Sequence, residues 1–100
     1  MSERRYGQDI NGGLVIYDDI LLSDERKLEV RKTIGSNIRD IRKLKGISQS
    51  ELGLVFDMPQ AYISQIENAH TGLSTSRLVE IARALNVHPK DLWEGTDSLK

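Results

Sequence analysis

Gln49, Gln60, Gln65 and Asn68 place four side-chain amides in one stretch, Ser48–Asn68, SQSELGLVFDMPQAYISQIEN, whose only charges are Glu51, Asp57 and Glu67. An amide donates and accepts a hydrogen bond at once. It suits the N6/N7 edge of adenine, and a methyl group such as that of Ala61 suits the methyl of thymine. The chemistry on offer is recognition, not bond-making. The two histidines, His70 and His88, fall in expected loops without a carboxylate at ligand spacing, and there is no cysteine. Gly12-Gly13 reads as a turn signal, not as a phosphate-binding loop. No catalytic residue, metal or cofactor is expected.

Such amides need a frame. Ser48 stands three residues before Glu51, the spacing of a capping box, and Leu52, Val55 and Phe56 give a short helix its apolar stripe, which Asp57 ends. Pro59 opens the next helix, where its missing N–H costs little. Ile63 and Ile66 anchor that helix inward and Asn68 closes it, so Gln60, Ala61, Ser64, Gln65 and Asn68 lie outward. A link of about three residues makes the two helices cross steeply. Gly53 supplies the small residue a close crossing needs; a mid-helix glycine costs about 1 kcal/mol against alanine, and mere tolerance of the glycine is the alternative. A polar, solvated helix would also leave residues 60–68 facing water, but it would more commonly carry Lys and Glu.

The flanks extend the helical pattern. Ser23 caps a helix with Asp24 and Glu25 in its first turn, followed by apolar Leu28, Ile34, Ile38, Ile41 and Leu44 and stopped by Gly46. Residues 24–45 read either as one helix or as two broken near 32–34, because Thr33, Gly35, Ser36 and Asn37 are poor helix formers. Ser74 caps a fourth helix with Leu78, Ile81, Ala82 and Leu85, ended by Asn86. Pro89 opens a last short helix with Leu92 and Trp93, stopped by Gly95. The expected fold is all-α, with five helices in residues 34–94, a helical lead-in at 23–33, an N-terminal arm at 1–22 and a frayed tail at 95–100. Leu14-Val-Ile-Tyr17 is a β-prone run too short to be stable alone. It reads either as an arm folded on its own domain or as a contact with another protein or a second copy.

One hundred residues, 38% of them apolar, suit one small core. The net charge of −1 argues mildly against a nucleic-acid partner, yet distribution matters more than the sum. Within residues 35–94, Arg39, Arg42, Lys43 and Lys45 cluster, while Arg77, Arg83 and Lys90 are scattered. A local basic face of this size makes few phosphate contacts and predicts a modest salt dependence. No apolar run is long enough to span a bilayer, and the start, MSERRYGQD, lacks the apolar core of a secretory signal. With no cysteine, a cytoplasmic setting is expected.

The segments IGSNIRDIRKLKGISQSEL, YISQIENA and LVEIARALNVHPKDLWEG resemble the lambda repressor/Cro-like helix-turn-helix family over residues 34–94, about sixty of the hundred. The resemblance implies a five-helix domain whose third helix enters the major groove of double-stranded DNA, as a homodimer on a pseudo-palindromic operator. It assigns Gln49 to a phosphate and to buttressing the third helix, Gln60, Ala61 and Gln65 to bases, and Tyr62 to a base, a sugar or a phosphate. Ser64, Asn68 and Thr71 become phosphate candidates; His70, beside the third helix, reads either as a further phosphate contact or as a plain loop histidine. Arg42, which spacing alone would leave as a solvated charge facing DNA, becomes a structural partner of Glu67. The dimer surface implied is Val87, Pro89, Leu92 and Trp93, with Trp93 partly in the core. Three positions depart from the family pattern: Asp57 stands for the turn glycine, Pro59 for a capping Ser or Thr, and Ala69 for the glycine after the third helix.

Two functional classes follow. One is a sequence-specific transcriptional regulator, in the first instance a repressor, with a restriction–modification controller as a case within it. The other is a protein-interaction module such as an antitoxin, whose residues 10–22 hold a partner protein.

Overall fold

The computed structural model describes residues 23–96, and among them the chain is helical: α1 Asp24–Leu44, α2 Gln49–Val55, α3 Gln60–Glu67, α4 Thr75–Leu85 and α5 Lys90–Trp93. The arm at 1–22, with its Leu14–Tyr17 run and the 10–22 partner segment, lies outside the described residues, as do residues 97–100.

Serine starts three of the helices. Ser23, Ser48 and Ser74 each accept a hydrogen bond from the backbone N–H three residues on, and at Ser48 the Glu51 carboxylate returns the bond to complete the capping box. Pro59, with extended ψ of 157°, is the N-cap of α3 and not its first helical residue, and it gives no side-chain cap. The third helix therefore runs Gln60–Glu67, one residue shorter at each end than expected, with Asn68 as its C-cap.

The first four helices end in one device. After α1, Gly46 turns left-handed, its N–H bonds Lys43 O, and the next N–H, of Ile47, bonds Arg42 O. The same pair of bonds closes α2 around Asp57, α3 around Ala69 and α4 around Asn86, each at φ 61°. These are Schellman closures, which satisfy carbonyls that a helix end would otherwise leave open. Gly, Asp and Asn tolerate the left-handed region; Ala69 does so only under strain.

Of the two readings for residues 24–45, the structure takes the single helix. Its poor helix formers have tertiary partners. Gly35 is buried against α3: a Cβ there would stand 2.6 Å from Ile66 O and 2.7 Å from Glu67 O. Asn37 donates from Nδ2 to the carbonyls of Leu92 and Glu94, both at 2.9 Å, tying α5 to α1. The core gathers Val30, Ile34 and Ile38 of α1 with Leu52, Ile63, Ile66, the α4 stripe of Leu78, Ile81, Ala82 and Leu85, and Leu92.

Three expectations are corrected. Val55, assigned to the buried stripe of α2, is 63% exposed, because α2 turns its core face through Leu52 and Gly53 and ends at Val55. Leu44, the last residue of α1, is 86% exposed. Thr96, expected in a frayed tail, is buried, and its hydroxyl donates to Trp93 O at 2.9 Å. No helix among the described residues is long and apolar enough to cross a membrane.

Candidate nucleic-acid interface

Close approach sets the geometry of α2 and α3. A Cβ on Gly53 would overlap the carbonyl oxygen of Met58, and Gly53 O itself accepts from Phe56 N–H and Met58 N–H. The link folds directly back over the glycine, which brings the start of α3 close against α2.

A carboxylate sits under this crossing. Glu67, 3% exposed, receives Arg42 Nε at 2.6 Å on Oε2 and Arg42 Nη2 at 3.1 Å on Oε1. Arg42 Nη1 donates to Ile47 O at 2.7 Å. Gln49 Nε2 donates to Glu67 Oε1 at 3.0 Å, and Gln49 Oε1 in turn accepts from Gln60 Nε2. An ordered chain thus runs from α1 through the end of α3 and the start of α2 to the first residue of α3. It fixes which way each amide points: Gln49 is turned by a buried charge, and Gln60 by Gln49. A buried ion pair of this kind is costly to break, because either partner alone would be an uncompensated charge.

The sequence-assigned residues fall into distinct places. Gln60, Ala61 and Gln65 are exposed along the outer face of α3, and Ser64 is half-buried beside them. Asn68 is exposed, but its Nδ2 turns back to Ser64 O at 2.9 Å and to Ser64 Oγ at 3.3 Å. Its Oδ1 accepts from Arg39 Nη2 at 3.3 Å, and the same nitrogen donates to Glu67 O at 3.1 Å. Arg39, one turn before Arg42 on α1, is therefore a second cation over the end of α3. Sequence reasoning saw it only as one of a basic cluster, although its spacing of three from Arg42 put both on one face. His70 is exposed and Thr71 half-buried in the loop after α3. Tyr62 is half-buried on the flank toward α4, where its ring meets Arg77. No local pattern in the sequence pointed to Arg77.

The proposed dimer residues separate as well. Val87, Pro89 and Trp93 keep partial exposure. Leu92 has none, and it is removed from that surface: its side chain fills the core between α1 and α4. Among the described residues no group of His, Cys, Asp and Glu is arranged to hold a metal ion.

The arrangement is one of fixed donors and acceptors on a rigid pair of helices. It can recognise a surface that offers matching hydrogen bonds. A helix-turn-helix family model matches residues 38–92. Control protein C.BamHI of Bacillus amyloliquefaciens is 37% identical over 68 residues, covering 67% of this chain and 84% of that protein. Among solved structures, the restriction-modification controller protein C.AhdI of Aeromonas hydrophila superposes with a TM-score of 0.60 at 26% identity, covering 62% of this chain and 94% of that one. The hypothetical transcription factor NHTF from Neisseria gives a TM-score of 0.63 at 30% identity, covering 72% of this chain and 80% of that one.

Proposed function

The chain belongs to the helix-turn-helix family of DNA-binding regulators, and from that premise we propose that it is a sequence-specific transcriptional repressor which binds a pseudo-palindromic operator as a dimer. The observation that carries the reading is the amide chain from Glu67 through Gln49 to Gln60. It holds a base-reading amide in one orientation before DNA arrives, next to exposed Ala61 and Gln65. Gln60, Ala61 and Gln65 read base edges in the major groove, with Tyr62 on their flank. Gln49, Ser64, Asn68 and Thr71 meet the phosphates, and Arg39 joins them at the end of α3. Base edges give the sequence preference and phosphates the register.

A dimer through Val87, Pro89 and Trp93 would set two reading helices about one helical turn of DNA apart, the spacing that a pseudo-palindrome mirrors. Repression is the proposed direction, because occupying a promoter needs no surface beyond the reading head. The likeness to C.BamHI and C.AhdI supports a controller of a restriction–modification system as the specific case.

Selection from a random double-stranded DNA library with the purified protein tests the reading. An enriched pair of inverted half-sites, bound by a species of twice the monomer mass in sedimentation, is expected. Enrichment of no sequence would overturn the reading.

A further inference from the structure

Arg77 occupies a position that neither the amide chain nor the core explains. It stands in the first turn of α4, its backbone N–H capped by Ser74 Oγ at 3.1 Å. Its Nη1 donates to Glu80 at 2.7 Å, one turn further along the same helix. Its guanidinium carbon lies over two rings at once, 5.3 Å from the centroid of Phe56 and 5.4 Å from that of Tyr62. Phe56 is the C-cap of α2 and Tyr62 belongs to the first turn of α3. One guanidinium therefore joins three helices at the edge of the reading head.

Both contacts are of the kind that attracts a cation to a ring face, and a planar guanidinium stacks where an ammonium would not. The ring of Tyr62 is held at one side by this stack, while its hydroxyl makes no hydrogen bond among the described residues. The pairing with Glu80 offsets the charge of Arg77 and turns one edge of the guanidinium toward α4.

We propose that Arg77 is a positioning residue for DNA recognition: stacked on Phe56 and Tyr62, it fixes the Tyr62 ring so that the tyrosine hydroxyl meets DNA from one preset rotamer. The inference rests on the DNA-reading role proposed for α3. An unstacked tyrosine would have to be ordered at the moment of binding, and immobilising a free side chain weakens association by about three- to tenfold. Arg77 does this through Tyr62 and not by neutralising a phosphate.

Three measurements on full-length protein test it, with Arg77→Met keeping an apolar stem without the guanidinium and Arg77→Lys keeping a positive charge without the planar group. Titration against the selected operator should give a three- to tenfold loss for both variants, with an unchanged slope of log affinity against log salt. In a Tyr62→Ala background the same Arg77→Met change should have almost no further effect. In the free protein, NMR couplings should report one χ1 rotamer for Tyr62 in the wild type and averaging in Arg77→Met.

A salt slope reduced by about one would make Arg77 a phosphate ligand and overturn the proposal. So would an equal loss in the Tyr62→Ala background, full affinity in Arg77→Lys, or an unchanged rotamer in Arg77→Met. If the wild type selects no operator while its Tyr62 rotamer is fixed and released by Arg77→Met, the DNA-reading role fails and the stack stands as a packing device.

Discussion

The guanidinium of Arg42 grips the carboxylate of Glu67 with two nitrogens, at 2.6 and 3.1 Å, across 25 residues of chain. Their side chains are 9% and 1% exposed. This contact ties the last turn of the fold's longest helix, α1, to the last turn of α3. Replacing either partner alone, as in Arg42→Met or Glu67→Leu, leaves a buried charge without its counterion, and should destabilise the domain by about 3–5 kcal/mol. The double variant should lose much less than the sum of the two. Urea unfolding of all four proteins measures the difference; additive losses would mean the pair is not coupled.

Gln49 and Gln60 should not behave as independent contacts. Gln49→Ala removes the acceptor that orients Gln60 Nε2 as well as its own bond to Glu67. Gln60→Ala and Gln65→Ala are expected to cost about 1–3 kcal/mol on the selected operator and almost nothing on random DNA. Gln49→Ala should weaken both. On the operator, a cycle of Gln49→Ala and Gln60→Ala should give a coupling of about 0.5–3 kcal/mol. Equal losses on operator and random DNA for Gln60→Ala would remove it from the base-reading set.

Two glycines serve as spacers. Gly35→Ala would drive a methyl to within 2.6 Å of Ile66 O, and Gly53→Ala would drive one into Met58 O. Both neighbours are backbone, and the end of α3 is pinned by Arg42, so neither can move aside cheaply. Each change should destabilise by about 1–3 kcal/mol, despite alanine's better helix propensity. A thermal midpoint unchanged from the wild type in either variant would contradict the close approach.

Ala69 offers a change in the opposite direction. It holds φ 61° at the closure of α3, in the left-handed region where a non-glycine residue costs about 1–2 kcal/mol. Glycine removes that strain but adds freedom to the unfolded chain worth about 0.5–1 kcal/mol. Ala69→Gly should therefore stabilise by about 0.5–1 kcal/mol and raise Tm by a few degrees in calorimetry. A lower Tm would mean that the buried methyl contributes more than the backbone loses.

What the sequence carried by itself was local or periodic. The serine caps, the stops at Gly46, Asp57 and Asn86, and the apolar spacing from Leu78 to Leu85 are all written within one or two helical turns. There, short-range hydrogen bonding and side-chain direction decide the outcome. The five helices follow from them, while the helix-turn-helix family rests on the resemblance of three segments within residues 34–94. The tertiary structure alone decided which residues from distant segments meet. Gly35 reads as a helix breaker until the carbonyls of Ile66 and Glu67 are laid against it. Val55 reads as core until α2 packs through Leu52 and Gly53 instead, and Leu92 reads as a surface candidate until it is buried in the core. The sequence holds no sign of the rings that Arg77 meets, because Phe56 and Tyr62 come from two other helices. A residue's neighbours along the chain set its backbone; its burial and its chemistry depend on contacts that exist only once the helices have packed.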